Sequence, residues 1–184
     1  MPRLIHLNGP PAIGKSTIAQ RYVTEHSGSL LLDIDRLRML IGGWRDDFVG
    51  AGDLVRPLAC ALATAHLSAG HDVVMPQFLS DDAEIAMWET VATSVGAAFA
   101  EIVLLDDADA SVRRFADRGS TSGDDLVSVI EATVDRAGGD EYLRELHRLL
   151  ADLVQSRDQV VLVRCVGGDV EGTYRAVLGA VGES

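Results

Sequence analysis

The sequence predicts an α/β domain in three layers, with a five-stranded parallel sheet covered by helices on both faces. Three observations carry this. Apolar runs alternate along all 184 residues with segments of helical periodicity, the order that parallel crossovers require. The runs Leu30-Leu31-Leu32 and Ile102-Val103-Leu104-Leu105 are continuous, as in strands buried on both faces. Finally, Gly9-Pro10-Pro11-Ala12-Ile13-Gly14-Lys15-Ser16-Thr17 fits the phosphate-binding pattern G-x-x-x-x-G-K-[ST] between a strand and a helix.

That loop organises the reading. Small residues let its backbone curl so that consecutive N–H groups point inward at an anion, and the following helix adds its positive end. Lys15 is placed to reach the β/γ-phosphates, and the Ser16 hydroxyl to hold Mg²⁺. Lys15 is the only lysine in the chain; the other basic residues counted with it are arginines. An arginine fork cannot replace the compact point charge that such a nest accommodates.

The elements follow in order. Leu4-Ile5-His6-Leu7 is the first strand, and the first helix runs to about His26. Leu30 to Asp35 reads as the second strand, ending in two acids at i and i+2, so that Asp33 and Asp35 share the carboxyl-terminal sheet edge with the loop. Asp35-Arg36-Leu37-Arg38 opens a short helix that ends near Gly42-Gly43. Trp44 to Gly50 is irregular, and a helix spans roughly Asp53 to Ser68, with Pro57 starting it or kinking it. His71 to Pro76 is the third strand, and Asp81 with Glu84 forms a capping box for the next helix. Ala98 to Leu105 is the fourth strand, Asp107 caps a helix with Arg113, Arg114 and Arg118, and Gly119-Ser120-Thr121-Ser122-Gly123 is a flexible break. Helices over Asp125–Arg136 and Glu141–Arg157, a strand at Val160–Val163 and a final helix after Val166-Gly167-Gly168-Asp169 complete the chain.

Composition limits the function classes. With 47% hydrophobic residues a full core is available, and no linker, repeat or low-complexity segment divides residues 1–184, so one domain is expected. The net charge of −12 repels phosphate backbones and anionic membranes, which argues against nucleic-acid and membrane partners. Cys60 and Cys165 lie far apart in apolar runs and read as buried reduced thiols. The five histidines show no metal-ligand spacing, and no Gly-x-Ser-x-Gly elbow points to a hydrolase. No signal peptide and no apolar run long enough to span a bilayer is visible, so a cytoplasmic location is expected.

Taken together, the loop, Asp33-Ile34-Asp35, the step to Arg38 and the Arg114-x-x-x-Arg118 pair resemble the small P-loop kinases, a group that includes shikimate kinase, gluconate kinase, chloramphenicol phosphotransferase and the kinase domain of polynucleotide kinase. The resemblance implies an adenylate-kinase-like P-loop NTPase fold that uses ATP and Mg²⁺. It implies that Asp33 holds the Mg²⁺ shell, Asp35 accepts the proton of an attacking hydroxyl, and Arg38 orients the substrate. Arg114 and Arg118 are similar to lid arginines, within a lid of about 113–140, and Gly167 and Gly168 lie where such kinases pass the adenine ring. The acceptor region is about 36–56, with the acceptor over Asp35 and walled by Arg38, Trp44, Arg45, Gln77 and part of the Asp124–Gly139 helix region. One feature departs from the group: the third strand ends Val74-Met75-Pro76-Gln77, without the acid that often stands there.

Phosphoryl transfer needs an alcohol held in line and charge neutralised on the γ-phosphoryl oxygens, tasks that suit Asp35 and the set Lys15, Arg114 and Arg118. The expected activity is transfer from Mg-ATP to a hydroxyl of a small molecule, with an antibiotic or nucleoside-like alcohol as one class of acceptor. A slow nucleotide-hydrolysing switch and a toxin-like sugar-nucleotide kinase are the alternatives. The acceptor, the oligomeric state and the choice of ATP over GTP are left open.

Overall fold

The computed structural model describes residues 1–121 and 123–183, and the side chains of these except 119–121. In chain order the elements are β1 (Arg3–Asn8), α1 (Lys15–Glu25), β2 (Leu30–Leu31), α2 (Ile34–Arg38), α3 (Phe48–Ser68), β3 (Val73–Met75), α4 (Asp82–Ser94), β4 (Ala98–Leu105), α5 (Ala108–Thr121), α6 (Asp125–Ala137), α7 (Asp140–Ser156), β5 (Val161–Arg164) and α8 (Val170–Ala180). The five strands form one parallel sheet in the order β2-β3-β1-β4-β5, as the apolar runs predict.

Alternation along β1 builds the two faces. Leu4 joins a core with Val55, Ala59, Ala63 and Leu67 of α3, Ile85 and Trp88 of α4 and Leu150 of α7. Ile5 and Leu7 turn to the other face, against Ile18 and Tyr22 of α1 and Tyr174 and Val177 of α8. Three layers result, and β1 lies at their centre with the phosphate-loop sequence leaving its carboxyl end. Aspartates start most of the helices that follow. Asp33, Asp47, Asp81, Asp124 and Asp169 each accept a backbone N–H in the first turn of α2, α3, α4, α6 and α8.

Several sequence expectations need correction. β2 is an edge strand of two residues that stops at Leu31; Asp33 is the cap of α2 and Asp35 lies in its first turn, so the acids do not stand at i and i+2 of a strand. The cause is local: the Asp33 carboxylate offers Arg36 N–H a partner, and helix takes over from ladder. α2 also closes earlier than expected, at Arg38. α3 starts at Phe48, five residues before the expected Asp53, because Asp47 caps it through Gly50 N–H. Pro57 therefore sits inside the helix and does not start it.

The longer α3 overturns a second expectation. At 21 residues it is long and apolar enough by length and composition to cross a membrane. Here its row Val55, Ala59, Ala63 and Leu67 is buried against the sheet. α5 runs through Gly119 to Thr121, past the start of the expected break, and Ser122 of that break lies outside the described residues. β3 is confined to Val73–Met75, and Cys60 and Cys165 are half-buried free thiols, not fully buried ones.

Candidate active site

The loop after β1 is held by its neighbours in the sheet. Asn8 is fully buried; its Oδ1 accepts from Gly9 N–H at 2.8 Å and Leu79 N–H at 3.1 Å, and its Nδ2 donates to Leu79 O at 2.7 Å. This ties the start of the loop to the segment after β3. Gly9 has φ 153°, and a Cβ there would stand 2.7 Å from Leu104 O, so only glycine passes β4 at this point. Gly14 turns the chain into α1 with φ 104°, and Ala12 is the one non-glycine residue at positive φ among the described residues. α1 begins without a side-chain cap and without an acid in its first turn, in contrast to the five helices under aspartate caps. Its first N–H groups and its positive end are left facing the loop, the arrangement that favours an anion.

Lys15 Nζ donates to Gly9 O at 2.7 Å and Pro10 O at 2.9 Å. Burial pushes its ammonium down from 10.5 to about 8, Arg118 adds to that shift, and Asp35 and Asp33 oppose it. The same burial pushes the Asp33 carboxyl above the usual carboxylate range, helped by Asp35 and opposed by the Arg36 N–H bond.

One cavity of about 720 Å³ joins these groups. Its polar side carries Lys15, Ser16, Asp33, Asp35, Arg38 and Gln77, with Arg118 reaching it from α5. A mostly apolar part of the lining comes from Leu126, Ile130, Thr133 and Val134 of α6 and Tyr142 and Leu146 of α7. Arg38 lies 4.3 Å over the Phe48 ring and its Nε is 3.6 Å from Asp35 Oδ1. Gly52 makes room for it: a Cβ there would come within 2.9 Å of the guanidinium.

Other expected residues fall elsewhere. Trp44 is buried with Ala51 and Leu126 and does not line the cavity. Arg45 is exposed, stacks on the outside of Trp44 and pairs with Asp125. Arg114 and Arg118 do not act on one target. Arg118 enters the cavity, whereas Arg114 is drawn to the buried Asp106, which also accepts Ser111 Oγ at 2.6 Å. Arg113 is exposed. Gly167 and Gly168 lie outside the cavity lining, and a Cβ on Gly167 would be 3.9 Å from Arg114 Nη1.

Sequence reasoning missed Asn8, Gly52, Asp106 and the α7 part of the apolar wall, whereas the α6 part falls in the expected 124–139 region. Asn8 alone left a signal, an amide closing an apolar strand directly before Gly9. Hard oxygen donors at Ser16 and Asp33 suit Mg²⁺, which takes one or two protein ligands beside phosphate and water. Among the described residues no cluster of three or more His, Cys, Asp or Glu is present.

Comparison with known proteins adds to this geometry. A family model described as an AAA domain matches residues 4–139. No curated protein matches the chain. The tunicamycin resistance protein of Deinococcus radiodurans is similar in structure, with TM-score 0.60 and 20% identity over 100% of this chain and 98% of that one. A gluconokinase from Sinorhizobium meliloti aligns with TM-score 0.66 and 15% identity over 98% and 92%. A chain of the Pnkp1/Rnl/Hen1 RNA repair complex aligns with TM-score 0.67 and 16% identity over 86% of this chain and 47% of that one. The fold is that of the small P-loop kinases.

Two outcomes are expected of the loop. Above about 8 the depressed Lys15 loses its proton, so nucleoside triphosphate affinity falls by up to about tenfold per pH unit. Binding just above that pH takes up a proton, read by calorimetry in buffers of different ionisation enthalpy. Without nucleotide the sign reverses: the unfolded chain holds this proton more tightly, so the Lys15 contribution to stability rises between about 8 and 10.5. Asn8→Ala leaves the buried Leu79 N–H and C=O without their amide partner. A loss of about 1–3 kcal/mol in urea unfolding, with weaker nucleotide binding, is expected.

Proposed function

The chain belongs to the AAA domain family, and from that premise we propose that it is an ATP-dependent phosphotransferase acting on a hydroxyl of a small molecule. The observation that carries this is the single cavity, in which the phosphate loop and a second set of acids and arginines face one space. A binding switch needs only the first half.

In this reading Lys15 and Arg118 hold the γ-phosphoryl oxygens, and the loop N–H groups hold the β-phosphate. Asp35 accepts the proton of the acceptor hydroxyl as its oxygen bonds to the γ-phosphorus and the bond to the β,γ-bridging oxygen breaks. Arg38, steadied on Phe48 and beside Asp35, orients the acceptor. Gln77 stands where a carboxylate would otherwise share the work, and offers hydrogen bonds without charge. Mg²⁺, when bound, neutralises charge on the phosphates, and Ser16 and Asp33 are the residues that would hold it.

The apolar wall speaks to the acceptor. A volume of about 720 Å³ lies in the usual range for small-molecule sites, and α6 and α7 line it with aliphatic side chains, one threonine and one tyrosine. This favours an alcohol carried on an apolar body. It disfavours a polynucleotide, which the net charge of −12 also repels. One similar structure is a tunicamycin resistance protein, so amphipathic antibiotics belong in any first panel.

The test is ADP release from Mg-ATP across alcohols of this kind, each hit checked for a phosphorylated acceptor by mass. Lys15→Ala removes nucleotide binding. Asp35→Asn keeps ATP affinity within about threefold and lowers turnover at least about a hundredfold. Acceptor-independent phosphate release across the whole panel would instead favour a hydrolytic switch. The same release rate in Asp35→Asn would remove Asp35 from the chemistry.

A further inference from the structure

The outer face of α3 has no use in the site. Leu54, Leu58 and Leu62 are 61%, 54% and 44% exposed, one helical turn apart. Around them Ala61, Ala65 and Ala69 are exposed as well, and among Arg, Lys, Asp and Glu only Arg56 occurs from Leu54 to Ala69, its side chain turned to Asp53 and to Glu84 of α4. α4 packs beside α3 on the same face of the sheet and turns Ala83, Ala86, Thr90 and Thr93 outward, with Glu89 partly exposed between them. In a chain of 24% charged residues, α3 thus presents a leucine and alanine panel free of carboxylates. α7, on the same side of the sheet, carries Glu145, Arg148 and Asp152 on its surface.

We propose that this panel is a twofold interface between two copies of the chain. The α3 face is complementary to itself. When two α3 helices meet antiparallel about an axis between Ala61 and Leu62, Leu54 stands opposite Ala69, Leu58 opposite Ala65 and Leu62 opposite Ala61. Every large side chain then meets a small one, the condition for close helix packing. α4 follows the same axis. Arg56 Nε donates to Glu84 Oε1 at 3.1 Å, which sets the middle of α4 level with the middle of α3. Ala86 then lies opposite Thr93 of the second copy, again small against small.

Charge selects this occupant over others. A nucleic acid or an anionic membrane would set its phosphates against a chain of net charge −12. A basic partner finds no carboxylate on α3 between Asp53 and the end of the helix. A second copy brings the same leucine and alanine stripe. Size agrees. Residues 54–69 extend about 24 Å, and two helices side by side are about 20 Å wide, a plan area of roughly 500 Å². Its ridged surface has more accessible area than that, approaching the about 800 Å² per partner of a stable pair.

The experiment is sedimentation or light scattering on the full chain, and it is independent of any catalytic reading. The wild type is expected at twice the mass of one chain. Leu58→Glu, at an exposed position, keeps its circular dichroism and falls to one chain mass, with dimerisation weakened at least about tenfold. Adding Ala65→Arg to Leu58→Glu sets opposite charges against each other twice across the axis and returns the dimer. Three results would overturn the proposal: a wild type of one chain mass up to about 100 μM, a folded Leu58→Glu that stays dimeric, or a double variant that stays monomeric.

Discussion

The site depends on the passage of Gly9 beneath the Leu104 carbonyl, a contact with backbone that cannot swing aside. Any Cβ would collide there, and β1 cannot move away because it pairs with β3 and β4 on either side. The loop therefore starts at a fixed point, and Asn8 removes the remaining freedom by bonding the first loop N–H and the chain after β3 at once. Everything that could meet a phosphate follows within a few residues. Gly14 turns the chain, α1 offers uncapped N–H groups, and Lys15 supplies the only ammonium of any side chain. The low value of Lys15 is the electrostatic counterpart of this rigidity. A half-buried cation without a full carboxylate partner is costly, and an incoming anion relieves that cost.

How much of this was legible in the sequence depended on the range of the interactions involved. The phosphate loop, the five strands and most helices were readable, because periodicity and local caps act over a few residues. The boundary of β2 was not. A run of three leucines reads as a buried strand, yet this strand lies at the sheet edge and stops after two residues. Asp33 then starts a helix, a choice made by one side-chain bond that a periodicity count does not weigh. Trp44 reads equally as a stacking platform or as core, and only the approach of Ala51 and Leu126 decides for core.

The arginines show the same limit. Arg114 and Arg118 share spacing and helix, so the sequence treats them alike. The fold separates them through Asp106, a buried carboxylate at the end of β4 that draws in Arg114 and leaves Arg118 to the cavity. In a chain with fifteen arginines and one lysine, an arginine's role is set by which acid reaches it first. Arg36 goes to Asp124, Arg45 to Asp125 and Arg157 to the buried Glu101. Arg38 differs. It is placed by an aromatic ring and by the space that Gly52 leaves, so it stands beside Asp35 without full pairing.

Asp33 shows that a structural role and a chemical one can share a side chain. Its Oδ1 caps α2 through Arg36 N–H, which fixes the carboxylate at the start of the helix. The cap also fixes Asp35, because it decides where α2 begins and hence which way its first turn points. Replacing Asp33 would remove one acid and loosen the placement of the other. The helix start that a periodicity reading passes over is thus the device that sets the polar side of the cavity, which also has a mostly apolar part contributed by α6 and α7. A polar part built by a short capped helix and a mostly apolar part built by two long ones suit a ligand with both characters, and the fold assembles them from segments some ninety residues apart.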